Sequence, residues 1–267
     1  MIRIEPRVAP SKWLTLGIPV LSALTALALA AIPLAFAGAN IVEAYGEMVK
    51  GVFGSPFKIS EMLTRATPLI FTGLAAALAF RAKLWNIGAE GQLYLGAMAA
   101  VVVGSGAIDA PAFVLLPIVL LAGAAAGAAG MAGPAYLKTK FGADEVVTTL
   151  LLNFVILIFL QMMLEGPLKD PMSLGWPQSS PIVDEGVLPA LFPRMRIHSG
   201  LILALVVAVI AQVMLSRSVW GFKIRAVGEN AAAALHAGIG VKRTLMSAAI
   251  ISGGLAGLAG VSEVAGL

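Results

Sequence analysis

Six stretches of this chain run without a single charged residue, at 13–40, 66–80, 93–108, 111–137, 150–164 and 201–215, and a seventh, 244–267, carries only Glu263. A helix needs about 20 apolar residues to cross the hydrocarbon core of a bilayer. Several of these runs approach or exceed that length, and in hydrocarbon only structures that satisfy their own backbone polar groups persist. Composition agrees, since 59% of residues are hydrophobic and only 12% charged. No soluble domain of this size requires so much apolar surface. The pattern predicts an all-α, polytopic membrane helix bundle of about seven spans, forming one transmembrane domain over residues 1–267.

Charge between the runs predicts the orientation. With the N-terminus inside and the runs alternating, twelve Lys and Arg fall inside and six outside, and Lys and Arg bias orientation where acids count for little. Arg3, Arg7 and Lys12 precede the first run, which is too long for a signal-peptide core and reads as an uncleaved anchor. Residues 41–65 read as a mixed-charge loop with room for a short surface helix. Six prolines between 165 and 198 exclude a span there, and alternation places this longest loop outside. The net charge of +4 comes from residues scattered over short loops without aromatic interleaving, so nucleic acid is not an expected partner; the lipid bilayer is.

Two of the runs, 66–80 and 93–108, are short for a span and flank Asn86-Ile87-Gly88-Ala89-Glu90-Gly91-Gln92. Short, glycine-interrupted apolar segments mark broken membrane helices, whose free N–H and C=O groups can meet a solute. A broken-helix region near 80–96 would put Asn86, Glu90 and Gln92 near a solute path; a tight polar turn at the membrane surface reads equally well from composition. A charge at Glu90 inside the membrane costs about 2.5–3.5 kcal/mol, so it requires a partner or a wet cavity. In the fifth run Thr149, Asn153 and Gln161, spaced by four and eight, read as one polar face that either bonds a neighbouring helix or lines the path. Gly123, Gly127, Gly130 and Gly133, with Gly253, Gly254, Gly257 and Gly260, are small residues at spacings that let helices pack closely.

Between Arg217 and Arg243 lies a basic island. Within it Asn230 suits an N-cap, Ala231–Ala234 favour helix and Gly238 suits the position just past the end. Enzymatic chemistry finds little footing: cysteine is absent, His198 and His236 fall outside the runs, and no metal-binding motif occurs. Ser105 has no histidine in any span to activate it. No metal and no cofactor is expected. An ion-coupled secondary transporter of a small polar solute is the rival reading, with Glu90 and Glu263 as its only candidate acids.

Four blocks taken in order resemble the permease subunits of bacterial ATP-binding cassette importers, in the branch handling simple sugars and nucleosides. They are Arg65-Ala66-Thr67-Pro68-Leu69-Ile70; Asn86–Gln92 with Gly96-Ala97; Glu145-Val146-Val147-Thr148-Thr149 with Leu152-Asn153; and Gly228-Glu229-Asn230 with Ala233-Ala234 and Gly238-Ile239. The resemblance implies a multi-pass subunit of the bacterial cell membrane. Its partners would be a cytoplasmic ATPase, a second permease subunit and an extracytoplasmic solute-binding lipoprotein. It makes residues 216–243 the cytoplasmic coupling loop, in which Gly228, Glu229, Asn230, Ala233, Ala234 and Gly238 meet the ATPase. The chain itself has no phosphate-binding Gly-x-x-x-x-Gly-Lys loop. Members of this family continue through further spans beyond the coupling helix, so a chain ending at Leu267 reads as C-terminally incomplete.

Overall fold

The computed structural model describes residues 12–266, with side chains from residue 17 onward. Arg3, Arg7, the side chain of Lys12, and Leu267 lie outside the described residues. The described chain forms ten α-helices and no β-sheet, and it divides into two compact units, one ending at Ile59 and the other running from Ser60. The first holds α1 (Lys12–Phe36) and α2 (Ile41–Phe53). Asn40 caps α2 by accepting from the N–H groups of Val42 and Glu43, and Tyr45 O–H donates to the Leu27 carbonyl at 2.5 Å, tying the two helices together.

The second unit is built from the rest of α3 (Pro56–Arg81), α4 (Ala89–Gly104), α5 (Ala112–Phe141), α6 (Glu145–Glu165), α7 (Gly200–Arg217), α8 (Val219–Glu229), α9 (Ala231–His236) and α10 (Val241–Val264). Six helices in the described chain are long and apolar enough to cross a membrane, and α4 is a seventh, shorter apolar helix. Together they account for the seven apolar runs. Residues 41–65 hold a short helix, α2, but the rest is not a loop: it forms the first turns of α3, and Pro68 lies within that helix. The charged residues that masked this helix sit on its outer face, where Arg65 and Glu61 pair at 3.2 Å one turn apart.

The α10 helix is the axis of this unit. Two-thirds of its apolar window is buried, and its contact with α5 is the most extensive between any two helices of the described chain, with α4 packed on both. Glycines make this possible. A Cβ on Gly127 would strike the Gly253 carbonyl, one on Gly257 the Gly123 carbonyl, and one on Gly260 the Leu93 carbonyl. Backbones therefore meet directly, as dispersion-driven packing in lipid favours. Gly133 faces open space and takes no part in this contact.

Apolar packing divides between the two ends. At the end where α3 terminates, Phe71, Ala75, Leu78, Leu84, Met131, Ile224, Ala248 and Ala256 form one core. At the other end Leu115, Val119 and Val261 pack with Ile182 and Leu188 of the 166–199 connection. That connection is therefore partly an inserted plug. Val183 N–H donates to the Gly104 carbonyl at 2.8 Å and Leu188 N–H to the Ala265 carbonyl at 2.7 Å.

Candidate site at the interrupted helix

Between Arg81 and Ala89 the chain leaves helical geometry, and Lys83 adopts a positive φ of 51°. Backbone N–H groups freed by such a break need acceptors when no water is at hand. One face of α6 supplies them. Glu145 Oε1 accepts from Trp85 N–H at 3.3 Å, Thr149 Oγ1 from Ile87 N–H at 3.3 Å, and Asn153 Oδ1 from Gly91 N–H at the start of α4. These acceptors stand at successive turns, so a single helix face holds the whole interruption. Close approach requires the glycines: a Cβ on Gly88 would lie 2.8 Å from the Thr149 carbonyl, and one on Gly91 2.6 Å from Asn153 Oδ1.

Glu145 carries a charge into this contact while only 5% exposed, and its ion pair with Lys138 of α5 compensates for that burial. Asp144 accepts from Val146 and Val147 N–H as the N-cap, so Glu145 is left free to turn inward. Gln161 does not continue the stripe. It is exposed, because eight residues beyond Asn153 a helix has turned about 80° away from the buried face.

Behind the break lies a buried polar cluster. Asn86 Nδ2 donates to Gln92 Oε1 and Gln92 Nε2 to Asn86 Oδ1, both at 2.8 Å, so the two amides pair reciprocally. Asn86 also donates to Ser252 Oγ of α10 at 3.0 Å, and Ser252 O–H donates to the Ala75 carbonyl of α3 at 2.8 Å. Gln92 Nε2 points to Met131 Sδ at 3.4 Å. Met131 lies seven residues before Lys138, about 10 Å along the helix, and the cluster is thus set well inside the bundle. Sequence reasoning singled out Asn86, Gln92, Thr149 and Asn153. It missed Ser252 and the inward role of Glu145, although Glu145, Thr149 and Asn153 at four-residue spacing were a readable signal.

Glu90 stands apart from this cluster. It is exposed, yet Asn153 Nδ2 donates to Oε2 at 3.1 Å and Tyr94 O–H to Oε1 at 3.2 Å. From Tyr94 a groove of about 320 Å³ runs along α4 past Met98 and Val101, walled by Leu160 and Leu164 of α6 and ending beside Glu263. Glu90, with both carboxylate oxygens oriented, thus meets this mostly apolar furrow through Tyr94, and Glu263 lines it directly.

In the basic island, Asn230 Oδ1 caps α9 by accepting from Ala233 N–H at 3.0 Å, and Gly238 adopts φ +80° just beyond the helix. Glu229, Asn230, Ala233 and Gly238 are exposed, whereas Ala234 is buried. Gly228 lies in the last turn of the preceding helix α8 and is buried so tightly that a Cβ there would strike the Arg81 carbonyl. The basic island is therefore directly seated on the start of the break. At the opposite end of the unit, His198 is buried; its Nδ1 accepts from Gly200 N–H at 3.2 Å, so its proton resides on Nε2, which has no partner. Burial lowers its pKa and keeps it neutral. Among the described residues no cluster of His, Cys, Asp and Glu could hold a metal ion.

Residues 58–267 match the family model described as branched-chain amino acid transport system, permease component. The chain is 36% identical to the glucose ABC transporter permease protein TsgB13 of Haloferax volcanii, over 99% of this chain and 72% of that protein. It is 36% identical to the guanosine ABC transporter permease protein NupP of Bacillus subtilis, over 92% of this chain and 71% of the relative. With the nucleoside ABC transporter permease protein NupB of Lactococcus lactis subsp. cremoris it shares 30% identity, over 91% and 69%. No solved structure matches.

Proposed function

Because this chain belongs to the family of branched-chain amino acid transport system permease components, we propose that it forms the membrane pathway of an ATP-driven importer for nucleosides or simple sugars. The chain is a transporter component and not an enzyme. A separate cytoplasmic ATPase supplies the energy, a second permease subunit completes the pathway, and an extracytoplasmic solute-binding lipoprotein delivers the solute. The names of the relatives, which include guanosine, nucleoside and glucose transporters, support this solute class and favour it over an ion-coupled carrier. The N-terminus lies in the cytoplasm of a bacterial cell, with α8 and α9 on the same side and the 166–199 connection outside.

Within this reading the solute moves along the furrow on α4, from Glu263 outside to Glu90 inside. The observation that carries this is the exposed Glu90 carboxylate held by Asn153 and Tyr94. A carboxylate already oriented by two donors offers fixed acceptor lone pairs to the hydroxyl groups of a ribose or hexose. Asn86 and Gln92 act one layer behind, holding the break on which Glu90 is mounted, and Thr149 and Asn153 hold it from α6. The ATPase meets Glu229, Asn230 and Ala233 on 216–243, the coupling loop. Gly228 and Ala234 are the buried contacts that make this loop rigid. Movement of α8 and α9 then reaches Arg81 through Gly228, shifts the break against α6, and opens the furrow alternately to each side.

Uptake by the assembled transporter carrying Glu90→Gln tests the path. Loss of the charged acceptor should lower uptake roughly tenfold at unchanged expression. Unchanged uptake would remove Glu90 from the path.

A further inference from the structure

A second site opens where α3, α7 and α8 end together. Arg81, Arg225, Gln212, Leu215 and Ser216 line a cavity of about 240 Å³. Neither arginine side chain has an ion pair or hydrogen bond among the described residues, and no carboxylate lines the cavity. Two arginines lining one small cavity with no carboxylate beside them give it a net positive charge, and guanidinium geometry matches phosphate.

Position supplies the rest of the argument. The 18 residues of α7 extend about 27 Å, close to the roughly 30 Å of a hydrocarbon core, so its last turns at Gln212 and Ser216 stand at the headgroup boundary. Leu205, Val206, Val209 and Val213 form one exposed apolar face of the same helix, and that face runs without interruption into Gln212 and Ser216. A ligand with a phosphate in the cavity and an acyl chain on that face satisfies both halves. Basic pockets between membrane helices are a recurrent setting for anionic lipid headgroups.

We propose that this cavity binds the phosphate of an anionic phospholipid, whose acyl chains lie along α7. The bound headgroup bridges Arg81 at the end of α3 to Arg225 of α8, and so braces the junction where Gly228 meets the break.

The test is native mass spectrometry of the whole chain released from nanodiscs of mixed phosphatidylcholine and phosphatidylglycerol. The unaltered chain should retain phosphatidylglycerol preferentially. Replacing Arg81→Gln and Arg225→Gln should reduce that preference by about fivefold per arginine, while Lys140→Gln, on α5, should not. Ser216→Glu, a change at an exposed position, should abolish the preference by placing a fixed anion in the cavity. A preference that survives both the double variant and Ser216→Glu, or no preference in the unaltered chain, would overturn the proposal. Displacement of retained lipid by millimolar inorganic phosphate would also overturn it, by identifying a site for soluble phosphate instead.

Discussion

Gln92 has two alternatives for a partner, the solute or its neighbours, and the structure gives it neighbours. Its amide is 1% exposed and pairs with Asn86. Truncating this pair to Gln92→Leu leaves Asn86 Oδ1 buried without a donor, at a cost of about 1–3 kcal/mol. Thermal unfolding of the detergent-solubilised chain should register that loss, and Asn86→Leu added to it should recover part, because both unpaired groups are then gone. Uptake that falls in Gln92→Leu with no loss of stability would instead place Gln92 on the path. Gln92 and Glu90 are two residues apart, yet they differ in role because successive α-carbons on a helix point about 100° apart, which puts one into the α5–α10 core and the other on the furrow side.

At the scale of single elements, α9 shows how far local propensity reaches. Asn230 caps it, alanines carry it and Gly238 ends it, each as the residue types alone predict. Its surface is small and exposed at Ala231, Ala232 and Ala233. Ala233→Arg leaves the helix buildable while placing a long cation on that surface, so the ATPase should no longer be retained in a pull-down while the chain itself is expressed normally. Retention undiminished by Ala233→Arg would exclude this face as the contact. The α3 helix was harder to read. Its first turns carry Lys58, Glu61 and Arg65, features of a loop, and its middle carries Pro68, which has no N–H to give the Thr64 carbonyl one turn earlier, but Glu61 and Arg65 pair with each other and the helix runs on through the proline to Arg81.

For the whole molecule, orientation across the membrane is the open quantity with the cleanest test. The chain has no cysteine, so single cysteines report without background. In intact cells Met172→Cys, 86% exposed in the 166–199 connection, should react with a membrane-impermeant maleimide, and Ala232→Cys should react only after the membrane is breached. The reverse pattern would invert the topology. The same connection shows what alternation of spans omits, since Ile182 and Leu188 enter the core between proline-rich turns.

Much of this protein was present in its sequence alone. Apolar run length determined the membrane bundle, because the backbone in hydrocarbon has few ways to satisfy itself. Local residue types determined the caps of α9 and the interruption after Arg81. Only the tertiary structure decided which side chains answer that interruption. Glu145, Thr149 and Asn153 lie some 60 residues along the chain from the N–H groups they accept, and Ser252 lies 166 residues from Asn86. A buried donor takes whichever acceptor the packing of helices brings to it, and although the spacing of Gly127, Gly257 and Gly260 marks them for close packing, it does not say which backbone each one meets.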